Sequence, residues 1–189
     1  MNNLTRNVSG RKRILLIAGV LFFYFFNPQS FVSNYLHTNV VQSFSFPSGS
    51  MEPTIMKGDR ILVDKAAYKT SEPERGDIIV FLYPQDSTRT FLKRLIASGG
   101  ETVEIKNGDV YVNDELVQRS SIKNIHYYNR GDYGQAGKKI TIPEGQVYVL
   151  GENSAASHDS RYWGFVPREH ILGKVFKIYY PFDRSGPIQ

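Results

Sequence analysis

Thr102-Val103-Glu104-Ile105-Lys106-Asn107-Gly108-Asp109-Val110-Tyr111-Val112 is a stretch that decides the fold class. Apolar side chains at 103 and 105, and again at 110 and 112, alternate with polar or amphipathic ones, the period of a strand with one buried face. Between the two runs stands Asn107-Gly108, a pair tolerant of the positive φ angles that a two-residue hairpin turn demands. The segment predicts an antiparallel hairpin.

Working outward, the same grammar recurs from residue 44 onward: short β-branched and aromatic runs separated by Gly, Pro, Asn and Asp. Arg60-Ile61-Leu62-Val63-Asp64 follows the turn Lys57-Gly58-Asp59. Asp77-Ile78-Ile79-Val80-Phe81 follows Arg75-Gly76 and reads as a buried strand. Further strands are expected at Gln146-Val147-Tyr148-Val149-Leu150 and at Lys174-Val175-Phe176-Lys177-Ile178-Tyr179. Residues 118–139 are polar, tyrosine-bearing and aperiodic, and read as a short surface insertion. Helical periodicity is nearly absent, so the expected class is mostly β, antiparallel, over residues 44–189.

The N-terminal part differs. Arg6, Arg11, Lys12 and Arg13 precede an apolar and aromatic run over 14–26, which Asn27-Pro28-Gln29-Ser30 interrupts and Phe31-Val32 resumes. A spanning helix needs about 20 residues, and no Ala-x-Ala type site follows, so an uncleaved signal-anchor over 14–32 is favoured over a removed signal peptide. The expected organisation is a basic cytoplasmic tail (1–13), the anchor (14–32), a linker (33–43) and one β domain (44–189). The basic tail puts the N-terminus inside and the domain outside. With 189 residues the chain supports one medium core, and its formal charge of +5 partly reflects that tail, which argues against nucleic-acid binding. It contains no cysteine, excluding disulfides and thiolate metal sites.

Three segments carry candidate chemistry. Pro47-Ser48-Gly49-Ser50-Met51-Glu52-Pro53-Thr54 lifts Ser50 onto a proline-bounded loop, with Gly49 freeing the backbone before it and Ser48 able to offer a hydroxyl. A serine nucleophile needs an adjacent base and an oxyanion needs donors. None of His37, His126, His158 and His170 lies in a segment that recommends it as that base, and no Glu or His at zinc-ligand spacing accompanies His158. In Phe91-Leu92-Lys93-Arg94-Leu95, read as a strand, Lys93 shares a face with Phe91 and Leu95 and Arg94 takes the other. An apolar flank desolvates the ammonium and lowers its pKa. Arg94 is left as a structural or surface charge. In Gly151-Glu152-Asn153-Ser154-Ala155-Ala156-Ser157-His158-Asp159-Ser160-Arg161, Ser157 could bond and orient Lys93, and Asp159 and Arg161 could pair to hold the loop. Taken singly, each motif is more often a flexible turn, a solvated strand edge or a hydrogen-bonded loop; Arg75-Gly76-Asp77 reads as a turn into a strand.

The order of an anchor, Ser50-Met51-Glu52-Pro53, Arg75-Gly76-Asp77-Ile78, Lys93-Arg94, the 151–161 segment and Tyr162-Trp163-Gly164-Phe165-Val166-Pro167 resembles the type I signal peptidases over residues 44–180. The resemblance implies a Ser/Lys-dyad endopeptidase of mostly antiparallel β fold. In it Ser50 is the nucleophile, Lys93 the general base, Ser48 an oxyanion donor and Ser157 the group that orients Lys93, while Asp159 and Arg161 maintain the site. It implies no cofactor or metal. Its substrates are signal-peptide-bearing preproteins, cut after small residues, at the surface of a lipid bilayer. Glu152 stands where the family usually has Asp, and the 118–139 insertion is short beside that of some relatives. Lysine as the base points to the bacterial or organellar branch, and the expected place is a bacterial cytoplasmic membrane, single-pass. Phe44 and Phe46 fall on one face if extended, serving either the bilayer interface or the core. A noncatalytic membrane-anchored module, or an enzyme dedicated to one partner, stands as the alternative.

Overall fold

The computed structural model describes residues 40–188. The predicted tail, the anchor and all but the last residues of the linker lie outside the described residues. Among the described residues no helix is long and apolar enough to cross a membrane.

Among the described residues twelve strands form two antiparallel sheets. The first holds β1 (Val41–Ser45), β2 (Arg60–Asp64), β3 (Ile78–Tyr83), β4 (Asp86–Ser98), β9 (Gln146–Leu150), β10 (Val166–Pro167), β11 (Ile171–Tyr180) and β12 (Gly186–Pro187). Their order is β1-β2-β11-β3-β4-β9-β10, with β12 paired to β11. The second is β7-β6-β5-β8, from β5 (Thr102–Lys106), β6 (Asp109–Val112), β7 (Glu115–Leu116) and β8 (Ile140–Thr141). The opening hairpin is β5–β6, in register Val103↔Val112 and Ile105↔Val110. Its turn has φ of 53° at Asn107 and 90° at Gly108, the paired left-handed geometry that this dipeptide tolerates.

β3 shows why a near-continuous apolar run was needed. Ile78 and Val80 face one cluster with Met51, Ile55, Ile61, Val63, Leu92, Val175 and Ile178. Ile79, Phe81 and Tyr83 face another with Leu95, Val147, Val149, Trp163 and Val166. A strand covered on both faces leaves no polar side. β4 is the spine of the molecule: paired to β3 over Ile78↔Arg94 to Leu82↔Thr90, it pairs to β9 only from Arg94 onward. Its Thr90–Lys93 portion is therefore paired on one side only. Past a bulge between Leu95 and Ala97, Ile96 and Ala97 join a third cluster, shared with Val103, Ile105, Val110, Val112, Tyr148 and Leu150, that closes the space between the sheets.

The expected surface insertion is only partly superficial. Ile122 and Tyr127 are buried in that third cluster, Ile122 from a single helical turn, α1 (Ser120–Lys123). Aperiodic spacing hid these anchors, because isolated apolar residues in irregular backbone follow neither a 2.0 nor a 3.6 repeat. Phe44 and Phe46 stack 5.9 Å apart on one face and pack against the first cluster, so core packing accounts for one side of both rings.

Candidate active site

Ser50 sits in the loop between β1 and β2, and what fixes it is its neighbours. Met51 and Ile55 are buried in the core, the Ile55 amide bonds the Met51 carbonyl at 2.9 Å, and the Ser50 carbonyl accepts from the Asn153 amide at 3.0 Å. The loop is thereby held from below by apolar anchors and from the side by the 151–161 segment. Ser50 is 6% exposed and Lys93 is 4% exposed.

Lys93 Nζ lies 2.8 Å from Ser50 Oγ and 2.9 Å from the Leu92 carbonyl oxygen. Burial removes water from the ammonium and pushes its pKa down to about 8; the Asp159 charge opposes the fall and Arg161 assists it. As an ammonium Nζ donates to Ser50 Oγ; a neutral Nζ has one lone pair, and 2.8 Å is within reach for it to accept the hydroxyl proton instead. Phe91, 5.5 Å from Nζ by its ring centre, supplies part of the apolar wall, stacked on Tyr83 and set edge-on to Trp163. Together these groups floor a cleft of about 350 Å³, bounded also by Phe46, Pro47, Ser48, Ala156 and His158.

The 151–161 segment is cross-braced from within. Asp159 and Arg161 form a fully buried, two-bonded pair, Nε to Oδ1 at 2.7 Å and a terminal guanidinium nitrogen to Oδ2 at 2.8 Å. Asp159 Oδ2 also accepts from the Gly151 amide at 3.0 Å. Arg161 donates in addition to the Tyr128 carbonyl, to Ser154 Oγ and to the Ser154 and Ser157 carbonyls. A guanidinium with each N–H directed at an acceptor and a carboxylate on its fork meets the condition for burying both charges.

Ser48 and Ser157 have different surroundings. Ser48 Oγ accepts from the Ser50 amide at 3.3 Å, so both prospective oxyanion donors face each other across a long bond. Ser157 makes no bond to Lys93: its Oγ is buried without a hydrogen-bond partner among the described residues. The physical reason is that Nζ is directed to Ser50 and Leu92, while Ser157 is pressed against Gly151. A Cβ at Gly151 would come within 2.1 Å of Ser157 Oγ and 2.7 Å of the Ser50 carbonyl oxygen, so glycine alone lets the two segments meet.

Arg94 lies on the opposite face of β4 from Lys93, as strand alternation requires, and it is a structural charge rather than a surface one. Arg94 is 1% exposed, paired with Glu152 and bonded to the Gly76 carbonyl. This places the Arg75-Gly76-Asp77 turn, β4 and the start of the 151–161 segment on one guanidinium, and it gives Glu152 a partner in place of a solvent role. The signal was present: Leu95-Ile96-Ala97 after Arg94 marks a strand buried on both faces, where a charge must be paired. Tyr128 and Arg130 also went unsuspected; the Tyr128 amide bonds Ser154 Oγ at 2.9 Å and Arg130 bonds the Ala155 carbonyl at 2.7 Å. Among the described residues no His, Asp or Glu cluster is arranged to hold a metal ion.

The family described as signal peptidase, peptidase S26, matches residues 16–180. The chain is 38% identical to a probable signal peptidase I-2 of Synechocystis sp., over 80% of this chain and 68% of that protein. It is 36% identical to signal peptidase I of Aquifex aeolicus, over 77% of this chain and 78% of that protein. Against signal peptidase I of Pseudomonas aeruginosa the identity is 33%, over 82% and 70% respectively. With a match that spans most of the sequence, both sheets and the Ser50–Lys93 pair, this chain belongs to the signal peptidase family, peptidase S26.

Proposed function

We propose that Ser50 and Lys93 are the nucleophile and general base with which this serine endopeptidase removes N-terminal signal peptides from preproteins. The observation that carries the assignment is the 2.8 Å approach of a buried, depressed-pKa lysine to the hydroxyl of a core-anchored serine on the floor of a cleft. Neutral Lys93 takes the Ser50 proton as Oγ attacks the scissile carbonyl. The Ser50 amide and the Ser48 hydroxyl turn to the forming oxyanion, exchanging their long mutual bond for two charge-assisted ones. The Lys93 ammonium then protonates the leaving amine, and, neutral again, activates the water that releases the acyl group. Asp159 and Arg161 keep the 151–161 segment against Ser50. Ser157, its buried Oγ bonded to no other group, is proposed to orient Nζ when acylation removes the Ser50 hydroxyl.

The finer reading includes the membrane. Residues 14–32 are proposed as a single anchor with residues 1–13 inside and the catalytic domain on the extracytoplasmic side, supported by the basic residues ahead of the apolar run. Cleavage is proposed to follow small residues of the Ala-x-Ala type. The test is incubation of full-length protein in detergent with a labelled preprotein carrying such a site. Cleavage after the small residue, reduced at least about 1000-fold in both Ser50→Ala and Lys93→Ala, is the expected result. Retained cleavage in either folded variant would remove that residue from the dyad.

A further inference from the structure

The active-site cleft has a charged end that the dyad does not use. Arg89 and His158 both line it, and none of its lining residues is acidic. On β4 the residues 89, 91 and 93 share a face, so Arg89 projects beside Phe91 on the side of Lys93. Its guanidinium carbon and Lys93 Nζ lie 5.1 and 5.5 Å from the same Phe91 ring centre, so the two cations stand at most about 11 Å apart. Its guanidinium is seated over two rings, 5.1 Å from the centre of Phe91 and 5.5 Å from that of Tyr83, and those rings stack on each other at 4.6 Å. His158 closes on the same aromatic group, 4.9 Å from Trp163 and 6.4 Å from Tyr83. Arg89 forms no ion pair among the described residues. Asp86, the acidic residue nearest in sequence, bonds instead with the amide and hydroxyl of Thr88, at 3.1 and 2.6 Å. An arginine that rests against two rings and is paired with no carboxylate keeps N–H groups available for a planar acceptor.

We propose that Arg89, with His158 beside it, forms a specificity subsite for a carboxylate side chain of the substrate, about four residues from the scissile bond. The unpaired edge of β4 over Thr90–Lys93 gives an extended chain a strand to run along, and four extended residues cover the distance from Ser50 to the guanidinium. The inference rests on the Ser50–Lys93 reading and adds to it a charge preference that neither dyad residue imposes.

The experiment measures kcat/KM for peptides with one intact Ala-x-Ala site and Asp, Asn or Lys placed in turn four or five residues before the bond, or three, four or five residues after it. Wild type, Arg89→Gln and Arg89→Glu are compared, each by the ratio of its own Asp and Lys rates. Wild type should prefer Asp over Asn by about three- to fivefold at one of these positions, mainly through KM, the scale of an exposed ion pair. The preference should fade with added salt, vanish in Arg89→Gln and turn toward Lys in Arg89→Glu. No preference for Asp at any position in wild type, or one that persists in Arg89→Gln, overturns the subsite while leaving the dyad intact. Failure of wild type to cut even the Asn peptides overturns the dyad reading, and the subsite with it.

Discussion

The burial that suits Lys93 to its proposed role as base also burdens the fold. Below pH about 8 the side chain is protonated in both folded and unfolded chains, and only the folded one holds it out of water. The drop from 10.5 to about 8 corresponds to a cost on the order of 3 kcal/mol. Lys93→Met fills a similar volume without charge but gives up the bonds to Ser50 and Leu92, each worth about 1 kcal/mol. The variant should be inactive and yet about 1–2 kcal/mol more stable than wild type at pH 7 by urea unfolding. The sign of the pH dependence follows from the lowered folded pKa. Between about 8 and 10.5 the unfolded chain holds more protons, wild-type stability rises, and the advantage of the variant shrinks. An advantage that stays constant from pH 7 to 10 would show that burial of charge is not its origin. Much of this residue-scale picture was legible in sequence, since strand alternation put Lys93 among Phe91 and Leu95. The setting of the Ser157 hydroxyl was not, because a hydroxyl's neighbours depend on how two segments meet at Gly151.

At the scale of elements, the 151–161 segment is placed by two buried cations, Arg94 at its start and Arg161 at its end. Removing one partner of such a pair strands the other. Glu152→Ala should therefore destabilise the protein by about 3–5 kcal/mol, whereas Arg94→Met combined with Glu152→Leu should recover most of that loss; equal damage from the single and the double change would mean packing, not charge, is what Glu152 supplies. The hairpin and the strands around it were readable because period-2 alternation and an Asn-Gly turn are local signals. Tyr128, Arg130 and the burial of Ile122 were not, since the 118–139 stretch takes its structure from what it covers. Tyr127 at the centre of the third cluster illustrates the point: nothing adjacent in sequence marks it as core.

At the scale of the whole molecule, the three apolar clusters among the described residues are built from both sheets, and residues 41–189 form a compact unit with a core of their own. A form beginning at Val40 is expected to fold and to cut a soluble peptide within about twofold of the full-length rate. On a membrane-bound precursor its rate should fall by about tenfold or more, because an anchor turns encounter at the bilayer into a local event. Equal rates on both substrates with and without residues 1–39 would remove the anchor from the account.

The central claim is that a neutral Lys93 takes the Ser50 proton, and the pH dependence of kcat/KM addresses it most directly. Because the base must be deprotonated, log kcat/KM should climb with a slope of about one below pH 8 and level off above it. An inflection near the ordinary histidine value of roughly 6.5, or a flat profile from pH 6 to 9, would contradict the claim.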